Sequence, residues 1–328
     1  MTKIKGYRWM ELTLVQEGGA LVKRIIGLLL LILLTPCLAF ADLTVYFLDV
    51  WQGDSAIVSC DGEAMIIDGG LPGQSNKIYS FLENNLHINN LKYVIATHPD
   101  NDHIGGLSAV LQEKFTVHSI YSPVTEYDSD PFNGLLKSAE KQRVKIKVPY
   151  NNDPVKLGGA TVTIYNVGKE RKNIVRSIID KFASLSRRDE PEEIAANNDM
   201  SLVVRIVYKD VSFLFTGDIE AAAEQRLLLD SMVELSADVL KVAHHGSRGS
   251  STYDFLEKVN PSYAIISCGK NNAYKHPSAE TLKAIKDMDI ELFRTDLQGD
   301  ITFKTDGKNI EFKTIRETAQ DELFKAPQ

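Results

Sequence analysis

With 328 residues, of which 44% are hydrophobic and 25% charged, the chain has the mix of an ordinary globular protein with a sizeable core, which excludes a disordered chain and a multi-span membrane protein. Its formal net charge is −7. A protein that holds polynucleotides through non-specific charge shows the opposite sign, so such a substrate would have to be met by a local patch or by metal.

In chain order, residues 1–41 read as an export signal. Lys23 and Arg24 precede the apolar run "IIGLLLLILLTPCLAFA", whose uninterrupted part, 25–34, is shorter than a spanning helix, and Ala39-Phe40-Ala41 offers a small-x-small cleavage site before Asp42. An uncleaved anchor is the alternative; lipidation at Cys37 fits poorly, because a proline precedes that cysteine. The polar preface 1–20 reads as translated upstream sequence, with the natural start at Leu21 or Val22. Without residues 1–41 the chain keeps 32 Lys+Arg against 42 Asp+Glu, a net charge of −10. The expectation is an exported bacterial protein, periplasmic or extracellular, with no stable membrane span after processing and no protein partner.

Past the signal, "LTVYFLDV", "SAIVSC" and "AMIIDGG" are short strand-like runs, "NKIYSFLENNLHI" reads as a helix, and "LKYVIAT" as a buried strand. A second half repeats the mixture, with "ATVTIYNV", "MSLVVRIVYKD", "VSFLFTGD", "ADVLKVA" and "YAIISCG" as strands and "AAAEQRLLLD", "TYDFLEKV" and "SAETLKAIKDM" as helices. Two β-rich halves with helices outside predict an α/β sandwich. The predicted domain covers 42–315, with a charged, helix-prone insertion at about 169–197 and a C-terminal tail at 316–328. In that insertion Arg171, Lys172, Arg176, Lys181, Arg187 and Arg188 read as a solvated helix face or as a phosphate-tracking one. Cys60 and Cys268 end apolar runs, as two buried thiols or as a pair.

The stretch "THPDNDHIGG" at 97–106 concentrates imidazole and carboxylate directly after a strand. Those ligand types suit zinc, manganese or iron(II), and a strand end holds them rigidly. Gly105 and Gly106 then permit tight turns.

The run His98-Pro99-Asp100-Asn101-Asp102-His103 resembles the His-x-His-x-Asp-His motif of metallo-β-lactamase-fold hydrolases, with Asp100 in the place of the second histidine. Together with "FLDVWQGDS" at 47–55, "LFTGDIE" at 214–220, "KVAHHGS" at 241–247 and "KHPS" at 275–278, it is similar to the hydrolase domain of the ComEC DNA-uptake family. Trp51 stands where that signature usually has glycine, and no histidine occupies the usual third-ligand place of the first metal. His118 reads as structural.

The resemblance implies an αββα sandwich holding two divalent ions, Zn2+ or Mn2+, with His98, Asp100, Asp102, His103, Asp218 and His244 as ligands and Asp218 as the bridge. Asp102, His245 and His276 are the expected catalytic groups. Asp49, Asp54, Asp68, Asn198, Ser201 and Ser247 would support ligands or meet substrate: Asp68 would orient His98 or His103, and Asn198 and Ser201 would contact substrate oxygens. Asp54 and Ser55 read equally as turn-closing residues. Because successive side chains of a strand point apart, one of His244 and His245 is expected to bind metal and the other to meet substrate, with the choice left open. Such ions activate water at neutral pH for hydrolysis without a covalent enzyme intermediate. A phosphodiester, DNA among them, is the preferred substrate. A small ester such as a phosphocholine ester or lactone, or a metal-dependent binding role without turnover, is the alternative.

Overall fold

The computed structural model describes residues 42–327 apart from 113, 150, 151, 153 and 167–196. The signal and the basic insertion residues lie outside the described residues. None of the described helices is long and apolar enough to cross a membrane.

The strands are β1 (Leu43–Phe47), β2 (Ala56–Cys60), β3 (Glu63–Ile67), β4 (Asn90–Ile95), β5 (Thr116–Tyr121), β6 (Ile146–Lys147), β7 (Val155–Leu157) and β8 (Ala160–Asn166). They continue with β9 (Leu202–Tyr208), β10 (Val211–Phe215), β11 (Val239–Lys241), β12 (Tyr263–Ile266), β13 (Glu291–Arg294), β14 (Ile301–Thr305) and β15 (Ile310–Thr314). The helices that matter below are α1 (Ser75–Ser80), α2 (Asn101–Ile104), α3 (Asp130–Lys141), α4 (Ala221–Leu229), α5 (Tyr253–Val259), α6 (Ala279–Asp287), α7 (Thr295–Gln298) and α8 (Gln320–Leu323).

Two sheets form, in the orders β15-β14-β1-β2-β3-β4-β5-β6 and β13-β12-β11-β10-β9-β8-β7. Alternation along the strands explains how they stack. Leu43, Val45 and Phe47 of β1 and Val211, Phe213 and Phe215 of β10 enter one cluster between the sheets. The opposite faces are apolar too: Ile57, Ile66 and Val94 pack under Ile78 of α1 and Phe132 and Leu135 of α3. Val203, Leu214 and Leu240 pack under Leu227 of α4, Phe255 of α5 and Leu282 of α6. Three apolar layers separate helix, sheet, sheet and helix, the αββα sandwich that the sequence predicts. Strands covered on both faces read as nearly unbroken hydrophobic runs.

Within each sheet a block of strands is parallel: β3, β4, β5 and β6 in one, β10, β11, β12 and β13 in the other. Loops leaving the carboxyl ends of such strands gather at one edge, where α/β proteins place ligands. Residues 68, 97–103, 218, 244–245 and 267–276 all follow such ends. A backbone hydrogen bond from Leu202 to the Thr97 carbonyl, 2.7 Å, joins the two sheets there.

Helix α3 and the strands β13, β14 and β15 escape the sequence reading, and β14 pairs along the whole of β1. The two cysteines among the described residues are free and buried, Cys60 between the sheets and Cys268 under the outer helices. Within 316–327, part of the chain packs on Arg294. Buried Arg294 forms a two-pronged pair with Asp296 (3.0 and 2.7 Å) and donates through Nη1 to the carbonyls of Leu323 and Lys325 (2.8 and 2.7 Å), while Leu323 is fully buried. Deleting 317–328 leaves a buried guanidinium short of two acceptors and opens an apolar gap, so we expect a loss of about 2–5 kcal/mol in urea unfolding. An unchanged urea midpoint would show that the segment contributes nothing.

Candidate metal centre

Asp100 caps the short helix α2, and its carbonyl accepts from the amides of His103 and Ile104. This single turn brings Asp102 and His103 round to face the site. Gly105 and Gly106 serve differently from the expected tight turn. Their backbone is ordinary right-handed helix, but a Cβ on Gly106 would stand 2.0 Å from the Gly69 carbonyl oxygen. Glycine there lets the metal loop lie against the loop leaving β3, joined by the bonds Gly69 N to His103 O (2.6 Å) and Gly106 N to Gly70 O (2.9 Å).

Asp68, on the β3 loop, organises both histidines of the motif. Its Oδ2 lies 2.9 Å from His103 Nδ1 and accepts from the Thr97 hydroxyl at 2.7 Å, while Oδ1 accepts from the Thr97 amide at 2.8 Å. With the Thr97 proton committed to Asp68, its oxygen accepts from His98 Nδ1 at 3.1 Å. Both rings thereby carry their proton on Nδ1 and turn Nε2 toward the site, the arrangement a metal-ligating imidazole needs.

Asp218, buried at 3% exposure in the turn after β10, is the centre of the group. Its Oδ1 lies 3.2 Å from His103 Nε2, and its Oδ2 lies 3.5 Å from His245 Nε2, 3.8 Å from His244 Nε2 and 3.9 Å from His98 Nε2. Asp102 Oδ2 lies 3.2 Å from His245 Nε2, and Asp100 Oδ2 3.9 Å from His98 Nε2. His98 Nε2, His103 Nε2 and Asp218 Oδ1 are buried with no hydrogen-bond partner among the described residues. Buried polar atoms without partners are costly, and a divalent cation among them satisfies all three. Imidazole and carboxylate donors at this spacing fit such an ion.

Charge in the site follows burial and neighbours. Burial is the largest influence and opposes protonation of His103 and of His245, but it is outweighed by the Asp218 carboxylate acting together with Asp68 at His103 and with hydrogen bonds to Asp102 and Asp54 at His245. His103 is held well above the usual imidazole range and His245 at about 10. Burial and the neighbouring His103 push His98 down to about 3. Burial likewise opposes ionisation of Asp218, yet His103, His245 and His244 hold its carboxyl well below the ordinary range.

The profile of the Metallo-beta-lactamase superfamily matches residues 48–270, more than half of the chain. The chain belongs to the metallo-β-lactamase superfamily. Among curated proteins it is similar to ComE operon protein 3 of Bacillus subtilis (strain 168), 28% identical over 291 residues that cover 84% of this chain and 34% of that protein. It is also similar to competence protein ComA of Neisseria gonorrhoeae, 28% identical over 255 residues that cover 78% and 31%. The chain spans about a third of the length of these relatives. Among solved structures, the metallo-β-lactamase fold protein YhfI from Bacillus subtilis is 14% identical with a TM-score of 0.49, covering 81% of this chain and 100% of that one.

As a superfamily member the chain carries its histidine pair in an unexpected way. Strand β11 ends at Lys241, and both His244 (φ 45°) and His245 (φ 53°) adopt left-handed backbone, so the alternation expected of a strand does not apply. Both Nε2 atoms turn toward Asp218. The tighter candidate group, with donor atoms all within 4.8 Å, is Asp54, His103, Asp218 and His245, not His244. His245 Nδ1 donates to the Ser267 carbonyl at 2.9 Å, leaving Nε2 to face the site. Asp54 serves this group as a brace: its Oδ2 pairs with buried Lys241 at 2.7 Å while Oδ1 lies 3.2 Å from His245 Nδ1. Lys241 and Ser267 are the residues that sequence reasoning missed. A lysine inside the apolar run "ADVLKVA" was the available signal.

The other expected residues divide. Ser201 Oγ accepts from the Asp218 amide at 3.1 Å and Asn198 donates to Glu220 at 3.1 Å, so both brace the Asp218 turn. Ser247 closes its own turn by accepting from Gly249, and Ser55 donates to the Asp68 carbonyl. Asp49 bonds the Trp51 amide outside the cluster. His276 stands at the edge, its ring 5.4 Å from that of His244. His118 is exposed, its Nε2 2.8 Å from Asn90 Oδ1.

Two outcomes test this geometry. Asp68→Ala, which frees both rings, should weaken metal binding about 10- to 100-fold in competition with a chromophoric chelator; unchanged affinity would remove Asp68 from the support. Because the carboxylates around His103 and His245 favour their protonated forms, and each ring must release a proton to bind metal, affinity should rise with pH, about tenfold per unit for each proton displaced. Calorimetry in buffers of different ionisation enthalpy reads the release directly.

Proposed function

We propose that the protein is an exported metal-dependent phosphodiesterase, with DNA or another phosphodiester as its substrate. The observation that carries this reading is the single buried carboxylate of Asp218 facing His98, His103, His244 and His245, each within 3.9 Å. Similarity to competence proteins supports a polynucleotide over a β-lactam.

Asp102, His103 and His245 would hold one ion, and His98, Asp100 and His244 a second, with Asp218 shared between them. Bound there, divalent ions lower the pKa of water and neutralise phosphoryl oxygens. In this reading both histidines of the pair face the ions, His245 being the better-oriented ligand. Asp100, with its side chain about a third exposed and its Oδ2 3.9 Å from His98 Nε2, makes the second site the weaker one. Burial, together with His244 and His245, pushes His276 down to about 3, so its ring is neutral at pH 7 and stores no proton for a leaving group. A neutral ring still donates one N–H to a phosphoryl oxygen, and this is the role we assign to it.

Purified protein with Mn2+ or Zn2+, assayed on bis-p-nitrophenyl phosphate, single-stranded DNA and nitrocefin, tests the reading. Diester hydrolysis should exceed nitrocefin turnover. Asp218→Ala should lose metal and at least about 10²-fold in rate, whereas Asp100→Ala should lose less of both. Stoichiometric metal in Asp218→Ala would refute the bridge, and a fully loaded but inert wild type would favour a binding role.

A further inference from the structure

Two of the large apolar side chains left exposed stand on loops tied to the metal centre: Trp51, 63% exposed, and Tyr274, 70% exposed. Trp51 sits in the turn between β1 and β2 with left-handed backbone (φ 64°), a conformation that glycine adopts freely and a bulky residue adopts at a cost. That turn presses directly on the metal loop. A Cβ on Gly53 would meet the Asp102 carbonyl oxygen at 2.3 Å, and Asp54 donates its amide to the same oxygen at 3.1 Å. Next to Trp51, Gln52 Oε1 accepts from the Gly269 amide at 3.1 Å, fastening the turn to the 269–276 loop.

The second ring is on that loop. Asn272 ties it together, donating to the carbonyls of Gly269 and His276 and accepting from the His276 amide. Tyr274 stacks on the His276 ring, centroids 5.7 Å apart and planes inclined by 26°. Lys270 and Lys275 are exposed on the same loop, and Arg248 is exposed three residues beyond His245.

Aromatic faces interleaved with cations are the chemistry that binds single-stranded nucleic acid, because every base has a π-face while only an unpaired strand can present it. The charge balance of the chain points the same way. A protein of net charge −7 gains little from long-range attraction to a polyanion, so selectivity has to come from short-range contacts.

We propose that Trp51 and Tyr274 form a base-stacking subsite that directs unpaired polynucleotide to the metal centre. The proposal rests on the phosphodiesterase reading for the cleavage step after binding, but base stacking is measurable without turnover. In the full chain carrying Trp9→Phe, Trp51 is the one tryptophan left and reports directly on its own surroundings.

That protein, held in EDTA so that nothing is cleaved, is titrated with oligodeoxythymidylate, with an abasic oligomer of equal length, and with duplex DNA. The expected result is quenching of Trp51 fluorescence by oligodeoxythymidylate, with the abasic and duplex forms binding at least tenfold more weakly. Tyr274→Ala should weaken oligodeoxythymidylate binding about tenfold in the same fluorescence titration, equivalent to about 1.4 kcal/mol. Trp51→Gly, followed by anisotropy of a labelled oligomer, should weaken it similarly while leaving thermal stability unchanged or raised, since glycine relieves the backbone. Equal binding of the abasic oligomer, absent quenching, or full affinity in both variants overturns the proposal. Loss of binding in Trp51→Gly accompanied by a lowered melting temperature also overturns it, as the ring would then be structural. Stacking without hydrolysis of bis-p-nitrophenyl phosphate by the metal-loaded protein would defeat the phosphodiesterase reading alone, and hydrolysis without stacking would defeat this inference alone.

Discussion

Asp218 is a buried carboxylate, and a buried anion persists only where positive charge or hydrogen bonds compensate it. Here the compensation comes from four imidazoles supplied by two separate loops, so neither sheet can shift against the other without exposing an unpaired charge. The Asp218 amide is itself held by Ser201, at the start of β9, and β9 is joined to the metal loop through the Leu202 to Thr97 bond. The site and the seam between the sheets are therefore one structure.

Around that centre lies a ring of groups with no direct share in chemistry. Asp68 and Thr97 set the proton positions of His98 and His103, and Ser267 and Asp54 set that of His245. Burial opposes ionisation of Asp54, but the Lys241 ammonium and His245 outweigh it and hold the carboxyl below its ordinary range. Each of these rings thereby has its far nitrogen occupied, which leaves the site-facing nitrogen as the one that could hold a metal once its proton is released. The same logic separates the two halves of the proposed site: His103 and His245 are anchored directly by carboxylate or carbonyl, while His98 reaches Asp68 only through a hydroxyl and Asp100 stands partly exposed.

The overall sandwich and the metal motif were legible in the sequence for a common reason: both are local. Runs such as "LTVYFLDV" and "VSFLFTGD" announce strands by composition, and "THPDNDHIGG" concentrates ligands within seven residues of one another. What escaped was set by partners distant in sequence. Strand β14 is defined by pairing with β1 across some 250 positions, and α8 by the buried Arg294 that bonds its carbonyls. The charged insertion at about 169–197 lies outside the described residues.

By itself the sequence determined which donors are available, imidazole and carboxylate on loops that follow strands, and hence the class of chemistry and the superfamily. Only the tertiary structure decided which atoms face one another. His244 and His245 could not be sorted from alternation, because their left-handed backbone abandons the strand just where the alternation rule was needed. Lys241 reads as one polar residue in an apolar run until Asp54, nearly two hundred residues earlier, is found 2.7 Å from its ammonium. The physical reason is range: composition and periodicity report interactions between near neighbours in the chain, whereas a buried charge is satisfied by whichever group the fold brings within a few ångströms of it.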